Sequence, residues 1–234
     1  MKEIVHAKEG SVLVQVQGGT FAMGTKGHKK EPEHLLNLPT FAIGKTPVTN
    51  LQFGKFVAAT SYKISNWWSD YAKKWGDDAP VVCVTWADAR AYCAWAGLRL
   101  PTEAEWEKAA RGTDKREFPW GNEFNSALCR SKIGQESTQP LPVGSIPTNG
   151  SPYGALDMTG NVSEWCSSLF SPYPYKGADG REKAAVEGAT VRRCVRGGSW
   201  ADDDLAMLRC AARRSTLASV SVHTVGFRVA ITVR

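Results

Sequence analysis

Val195-Arg196-Gly197-Gly198-Ser199-Trp200 and Val225-Gly226-Phe227-Arg228-Val229-Ala230 bracket the C-terminal part of the chain, and the reading of this bracket decides the fold. Both pieces combine Gly, which permits close backbone approach, with Val, Phe and Trp, which suit a pleated, half-buried surface. They are predicted to be short strands. Between them, residues 201–223 show no regular pattern: Ala-Asp-Asp-Asp-Leu-Ala-Met-Leu-Arg-Cys-Ala-Ala-Arg-Arg-Ser-Thr-Leu-Ala-Ser-Val-Ser-Val-His. An irregular insert held between strands is how a rigid scaffold presents binding residues, and an ordinary closing loop is the alternative.

Upstream of the bracket, residues 11–24 alternate apolar and polar side chains and meet Gly18-Gly19, a pattern that predicts a hairpin turning there. Residues 25–38 are polar and read as a loop, and Phe41-Ala42-Ile43-Gly44 reads as a strand. Thr49 is placed to cap a helix carrying Leu51, Phe53, Phe56 and Val57. Residues 61–80 set Trp67, Trp68, Tyr71 and Trp75 among charges; they read as a loop packed over the core or forming a recognition surface. Thr85 with Asp88, and Thr102 with Glu105, form capping boxes that open two further helices, ending at Gly97 and Gly112. Beyond Gly112 the helical signal stops. Helices first, then strands and ordered loops, predict an α+β architecture in one domain over residues 1–234.

Composition narrows the function. With 42% hydrophobic and 22% charged residues the 234-residue chain is of the soluble globular kind. No apolar run is long enough to span a bilayer and Met1-Lys2-Glu3-Ile4-Val5-His6 begins no signal peptide, so a cytoplasmic location is the default expectation. The charge of +6 is spread over isolated pairs such as Lys29-Lys30 and Arg213-Arg214, which argues against a nucleic-acid partner. Six cysteines, at 83, 93, 129, 166, 194 and 210, contain no CxxC. They read as buried thiols, with one or two disulfides the alternative.

The chain resembles the formylglycine-generating-enzyme (sulfatase-modifying-factor) family. The resemblance is carried by Gly18-Gly19-Thr20-Phe21-Ala22-Met23-Gly24, Lys45-Thr46-Pro47-Val48-Thr49-Asn50, Arg99-Leu100-Pro101-Thr102-Glu103-Ala104-Glu105-Trp106-Glu107, Pro119-Trp120-Gly121-Asn122, Gly160-Asn161-Val162-Ser163-Glu164-Trp165, Arg196-Gly197-Gly198-Ser199-Trp200 and Gly226-Phe227-Arg228. It implies a C-type-lectin-like fold of two main helices on small antiparallel sheets, rich in loops. It also implies a structural calcium ion held near Asn161, Val162 and Glu164, since a hard cation takes oxygen ligands. Asn161 holding a turn and Glu164 pairing with an arginine is the competing account. The family's oxidase chemistry uses two cysteines close together after the Gly-Gly-Ser-aromatic motif, and here Cys210 stands there alone. A second branch binds iron through histidines of an added domain, and this chain carries only His6, His28, His34 and His223.

On those grounds the sequence predicts a protein that is not an enzyme and needs no redox cofactor. The expected function is ligand binding, as in the variable proteins of diversity-generating retroelements, which share this fold. Adenine-directed mutagenesis of AAC codons cannot yield Lys, Glu, Gln, Met or Trp; residues 201–223 contain no Lys, Glu, Gln or Trp, and one Met, Met207. An accessory binding member of the family and a copper-dependent formylglycine-generating oxidase are the alternatives. The expected site is a pocket floored by Trp200 and Arg209, with Ala201, Asp202, Asp203, Leu205, Arg214, Ser215, Ser219, Ser221 and His223 facing a protein, peptide or small-molecule partner.

Overall fold

The computed structural model describes residues 2–183, 188 and 190–233. Strands β1 (Glu3–Val5), β2 (Val12–Val16), β3 (Gly19–Met23), β4 (His34–Leu38) and β5 (Phe41–Gly44) precede helices α1 (Asn50–Thr60), α2 (Asn66–Trp75), α3 (Trp86–Ala96) and α4 (Glu103–Arg111). After a loop-rich stretch come β6 (Ser163–Leu169), β7 (Arg192–Arg196), β8 (Arg213–Leu217), β9 (Val225–Gly226) and β10 (Ala230–Thr232). They form sheets ordered β1-β2-β5-β10, β3-β4 and β8-β7-β6-β9, antiparallel apart from the short β6–β9 pairing. The expected α+β class, with helices on small antiparallel sheets, is what the structure shows. Among the described residues no helix is long and apolar enough to cross a membrane.

The N-terminal hairpin differs from its prediction. β2 does not fold back on β3; it pairs with β5, and β3 pairs with β4. Val16 lies opposite Phe41 and Gly19 opposite Leu38, an equal step on both arms, so the two ladders are one long hairpin with a bend in the middle. Gly18 marks the bend, not the turn. A Cβ there would stand 2.7 Å from the Thr40 backbone nitrogen, so only Gly lets the second arm cross this closely. The turn is the polar stretch 24–33, and His34–Leu38, read as loop, is strand.

The three capping boxes are present, each with its reciprocal pair of bonds: Thr49 with Gln52, Thr85 with Asp88 and Thr102 with Glu105. Gly97 closes α3 in the left-handed conformation. Phe53 and Phe56 of α1 pack with Tyr92 of α3 and Phe227 into the main core, while Leu51 turns to solvent. The segment read as an aromatic loop is instead helix α2.

Helix α4 is buried on every side, charged residues included. Buried charges survive only when paired, and these are. Glu103 accepts from Arg213 at 2.7 and 2.8 Å and faces Arg196 at 3.4 Å. Glu107 binds Arg196 and, at 2.9 Å, Arg111; Glu105 holds Arg99 through two bonds. Lys108 donates to the Gly19 carbonyl at 2.7 Å. The ion network ties α4 to the long hairpin and to β7 and β8.

The last stretch also departs from its reading. Of the predicted bracket, β7 ends at Arg196, and the Gly-Gly-Ser-Trp that follows is a turn. The insert is not irregular throughout: Leu205–Leu208 form a 3-10 turn, and Arg213–Leu217 make β8, in register on β7 from Arg196–Arg213 to Arg192–Leu217.

Candidate functional site

The turn after β7 sets the geometry. Gly197 and Gly198 have φ of +95° and +69°, and a Cβ on Gly198 would meet Leu208 at 2.6 Å, so the chain can reverse tightly here only with Gly. Asp202 locks the reversal: its Oδ2 accepts from the Ser199 N–H at 2.7 Å and hydroxyl at 2.9 Å, while Oδ1 binds Arg214. Trp200 is thereby pressed onto Val82, Cys83 and Val162, only 8% exposed.

Around Trp200 a half-buried aromatic cluster forms. The His223 imidazole lies nearly parallel to Tyr71, centroids 5.6 Å apart at 11°, and 5.5 Å from Trp200. Trp75 stands edge-on to Trp200 at 6.2 Å and 4.6 Å from Tyr71. The Trp200 indole N–H reaches the His223 carbonyl at 3.4 Å, joining the two ends of the insert. The Trp75 indole N–H is buried and meets no acceptor among the described residues. A buried donor without a partner is costly, and a ligand oxygen or a water would relieve it. Tyr71 and Trp75 were not among the expected site residues. Their signal was present: Trp68, Tyr71 and Trp75 follow one face of a helix, at steps of three and four.

The other expected residues fall into different surroundings. Arg209 is not at the floor beneath Trp200; it binds Glu31 at 3.2 Å and Thr25 at 3.1 Å, on the hairpin tip. Leu205 is exposed on the 3-10 turn, Asp203 is exposed just before it, and Ser219 is exposed on the loop after β8. Ala201, Arg214, Ser215, Ser221 and His223 are half-buried; Ser215 accepts from Arg192 through its carbonyl at 3.3 Å.

The residues expected at calcium do not fit a cation. The Glu164 carboxylate, fully buried, takes Arg228 at 2.6 and 2.7 Å and the Trp106 indole N–H at 2.7 Å. Asn161 (φ +62°) accepts from the Leu141 N–H at 2.9 Å and donates to the Leu141 carbonyl at 3.3 Å. Val162 packs beneath Trp200. Arg228 also donates to the Gly44 and Leu156 carbonyls. The turn and the arginine pair are what these residues build.

All six cysteines are unpaired and buried. Cys194 and Cys210 lie in one cluster with Cys166 and Trp106, and burial pushes all three thiols up from their ordinary pKa. Neither opens on a groove.

The sulfatase-modifying factor enzyme 1-like domain model matches residues 3–233. Hercynine oxygenase of Mycolicibacterium smegmatis is 36% identical, over 80% of this chain and 54% of its own length. Formylglycine-generating enzyme of Streptomyces coelicolor is 33% identical, over 93% of this chain and 88% of its own. The chain spans about half the length of the hercynine oxygenases it matches. Among solved structures, PvdO from Pseudomonas aeruginosa superimposes with a TM-score of 0.82 at 26% identity, covering 99% of this chain and 98% of its own. Treponema denticola variable protein 1 does so with a TM-score of 0.76 at 19% identity, covering 99% of each, a likeness of fold. The expectation of a protein that is not an enzyme is overturned by these relatives, since curated proteins named as enzymes match at 31–36% identity. The family model spans nearly the whole sequence, and the chain belongs to the sulfatase-modifying factor enzyme 1-like family.

Proposed function

We propose that this chain recognises a small-molecule substrate at the face shared by α2 and residues 200–223, as the recognition domain of an enzyme of its family. The observation that carries this reading is the cluster of Tyr71, Trp75, Trp200 and His223 with its unpartnered indole N–H. Electron-rich ring faces attract a cationic or flat group, and the His223 imidazole now occupies that place. The Trp75 N–H would meet an acceptor on the same molecule. Hercynine, named in one relative, is the first probe, beside a panel of methylated amines and aromatic amino acids. Titration by calorimetry should find binding that Tyr71→Ala and Trp75→Phe each weaken by at least fivefold. Binding indifferent to both, or none across the panel, would refute the reading.

A second reading, that the insert is diversified by a retroelement, is favoured by its lack of Lys, Glu, Gln and Trp. The ion pairs of Asp202, Arg209 and Arg213 confine free exchange to Asp203–Ala206 and the tip around Ser219. A reverse transcriptase and a near-copy of the segment in the neighbouring genome are the test.

A further inference from the structure

On another part of the surface, between the hairpin tip and the chain following β6, lies a cleft of about 420 Å³ lined by Lys29, Lys30, Pro32, Phe170, Pro172, Tyr173 and Arg213. Its volume is in the range of small-molecule sites, roughly 300–1,000 Å³. Its walls are apolar and aromatic, and among the described lining residues the charged groups are cationic. Phe170 is 42% exposed. The Arg213 guanidinium lies 4.4 Å from the Phe170 ring centre and 4.0 Å from that of Tyr173, so both rings are held by one cation.

Arg213 does not supply the charge of this cleft, because Glu103 neutralises it through two bonds and the Ser171 carbonyl takes a third. The nearby Glu31 is likewise held, by Arg209. Lys29 and Lys30 are different. Both are exposed and neither has an ion pair among the described residues. Two ammonium groups in the lining, beside an apolar wall whose rings pack against the Arg213 guanidinium, favour one class of guest.

The geometry points to a binding site for a small aromatic anion, its ring against Phe170 and Pro172 and its anionic group between Lys29 and Lys30. This site shares no residue with the Tyr71–Trp200 cluster and stands apart from the function proposed there.

The probes are naphthalene-2-sulfonate, inorganic sulfate and the neutral naphthalene-2-sulfonamide, titrated by calorimetry against the whole chain. The sulfonate should bind at least tenfold more tightly than either control, and its affinity should fall with added salt. Charge reversal in the Lys29→Glu/Lys30→Glu double variant should weaken it at least tenfold, and Phe170→Ala at least threefold. These side chains are exposed, and a melting curve for each variant checks that the fold is kept. Tyr71→Ala should leave this binding unchanged, which separates failure here from failure at the other face. Equal binding of sulfate and sulfonate, no binding at millimolar concentration, indifference to the lysine reversal, or loss through Tyr71→Ala would each overturn the proposal.

Discussion

Glu164→Gln tests whether the Asn161–Glu164 segment is held by protein or by metal. The carboxylate is fully buried between Arg228 and the Trp106 indole, taking three bonds of 2.6–2.7 Å. Glutamine keeps the shape but offers one acceptor and places an NH₂ against a donor. Removing one member of a buried ion pair costs about 3–5 kcal/mol. Arg228 retains carbonyl acceptors at Gly44 and Leu156, which favours the lower end. For a domain of 150–250 residues, about 2–4 °C is lost per kcal/mol, so a loss of about 3 kcal/mol should lower the midpoint by roughly 6–12 °C.

The assay is thermal unfolding of both proteins in EDTA and in millimolar calcium. A ligand that binds only the folded state raises the midpoint with its concentration. The parent protein should melt at the same temperature in both media, and the variant should melt lower in both. Arg228→Met should cost a similar amount, and the double exchange less than the sum, since each single exchange strands a charge the other removes. A parent protein stabilised by calcium, with that gain abolished in Glu164→Gln, would refute the reasoning and make the carboxylate a metal ligand.

Three further outcomes are expected. A disulfide reagent at pH 8 should label none of the six buried thiols of the native protein while labelling all six after denaturation; one thiol reacting at the unfolded rate would show an open site. Burial pushes Cys83 up to about 11 and Tyr62 up to about 12, so the folded state keeps protons the unfolded state releases. Stability from these groups is complete below pH 9 and is lost as pH rises through 9–12, and urea midpoints that stay flat over that window would contradict it. Joint exchange of Asp203, Leu205 and Ser219 should change stability by no more than about 0.5 kcal/mol per site, whereas Trp200→Ala should cost about 3–5 kcal/mol, read from melting curves.

What the sequence disclosed is what its own neighbours decide. Each capping box joins residues three apart, so Thr49, Thr85 and Thr102 announce their helices without reference to the rest of the chain. Gly18, at the head of the Gly-Gly pair, misleads for the converse reason. Its role is to let the Leu38–Thr40 backbone pass, a contact twenty residues away that looks locally like a turn. The burial of α4 is equally hidden, because the arginines that make its glutamates tolerable come from Arg196 and Arg213, about ninety and a hundred and ten residues on. The candidate site was half legible. Trp200 closes the Arg196–Trp200 motif and His223 ends the insert, but their partners Tyr71 and Trp75 lie on a helix masked by interleaved lysines and serine.

The insert shows why a scaffold and a display surface were hard to separate by composition. Arg209 and Arg213 reach out of it to Glu31 and Glu103, and Asp202 and Arg214 close its first turn. Buried or half-buried ions of this kind fix register, and removing one partner leaves the other uncompensated. A change at those four positions therefore acts on folding first and on recognition second. Positions 203–206 and 219 are exposed and carry no such ion pair, so exchange there leaves the fold room to tolerate it. Under the function proposed above, the rings of Tyr71, Trp75, Trp200 and His223 would set the chemistry that a guest must satisfy.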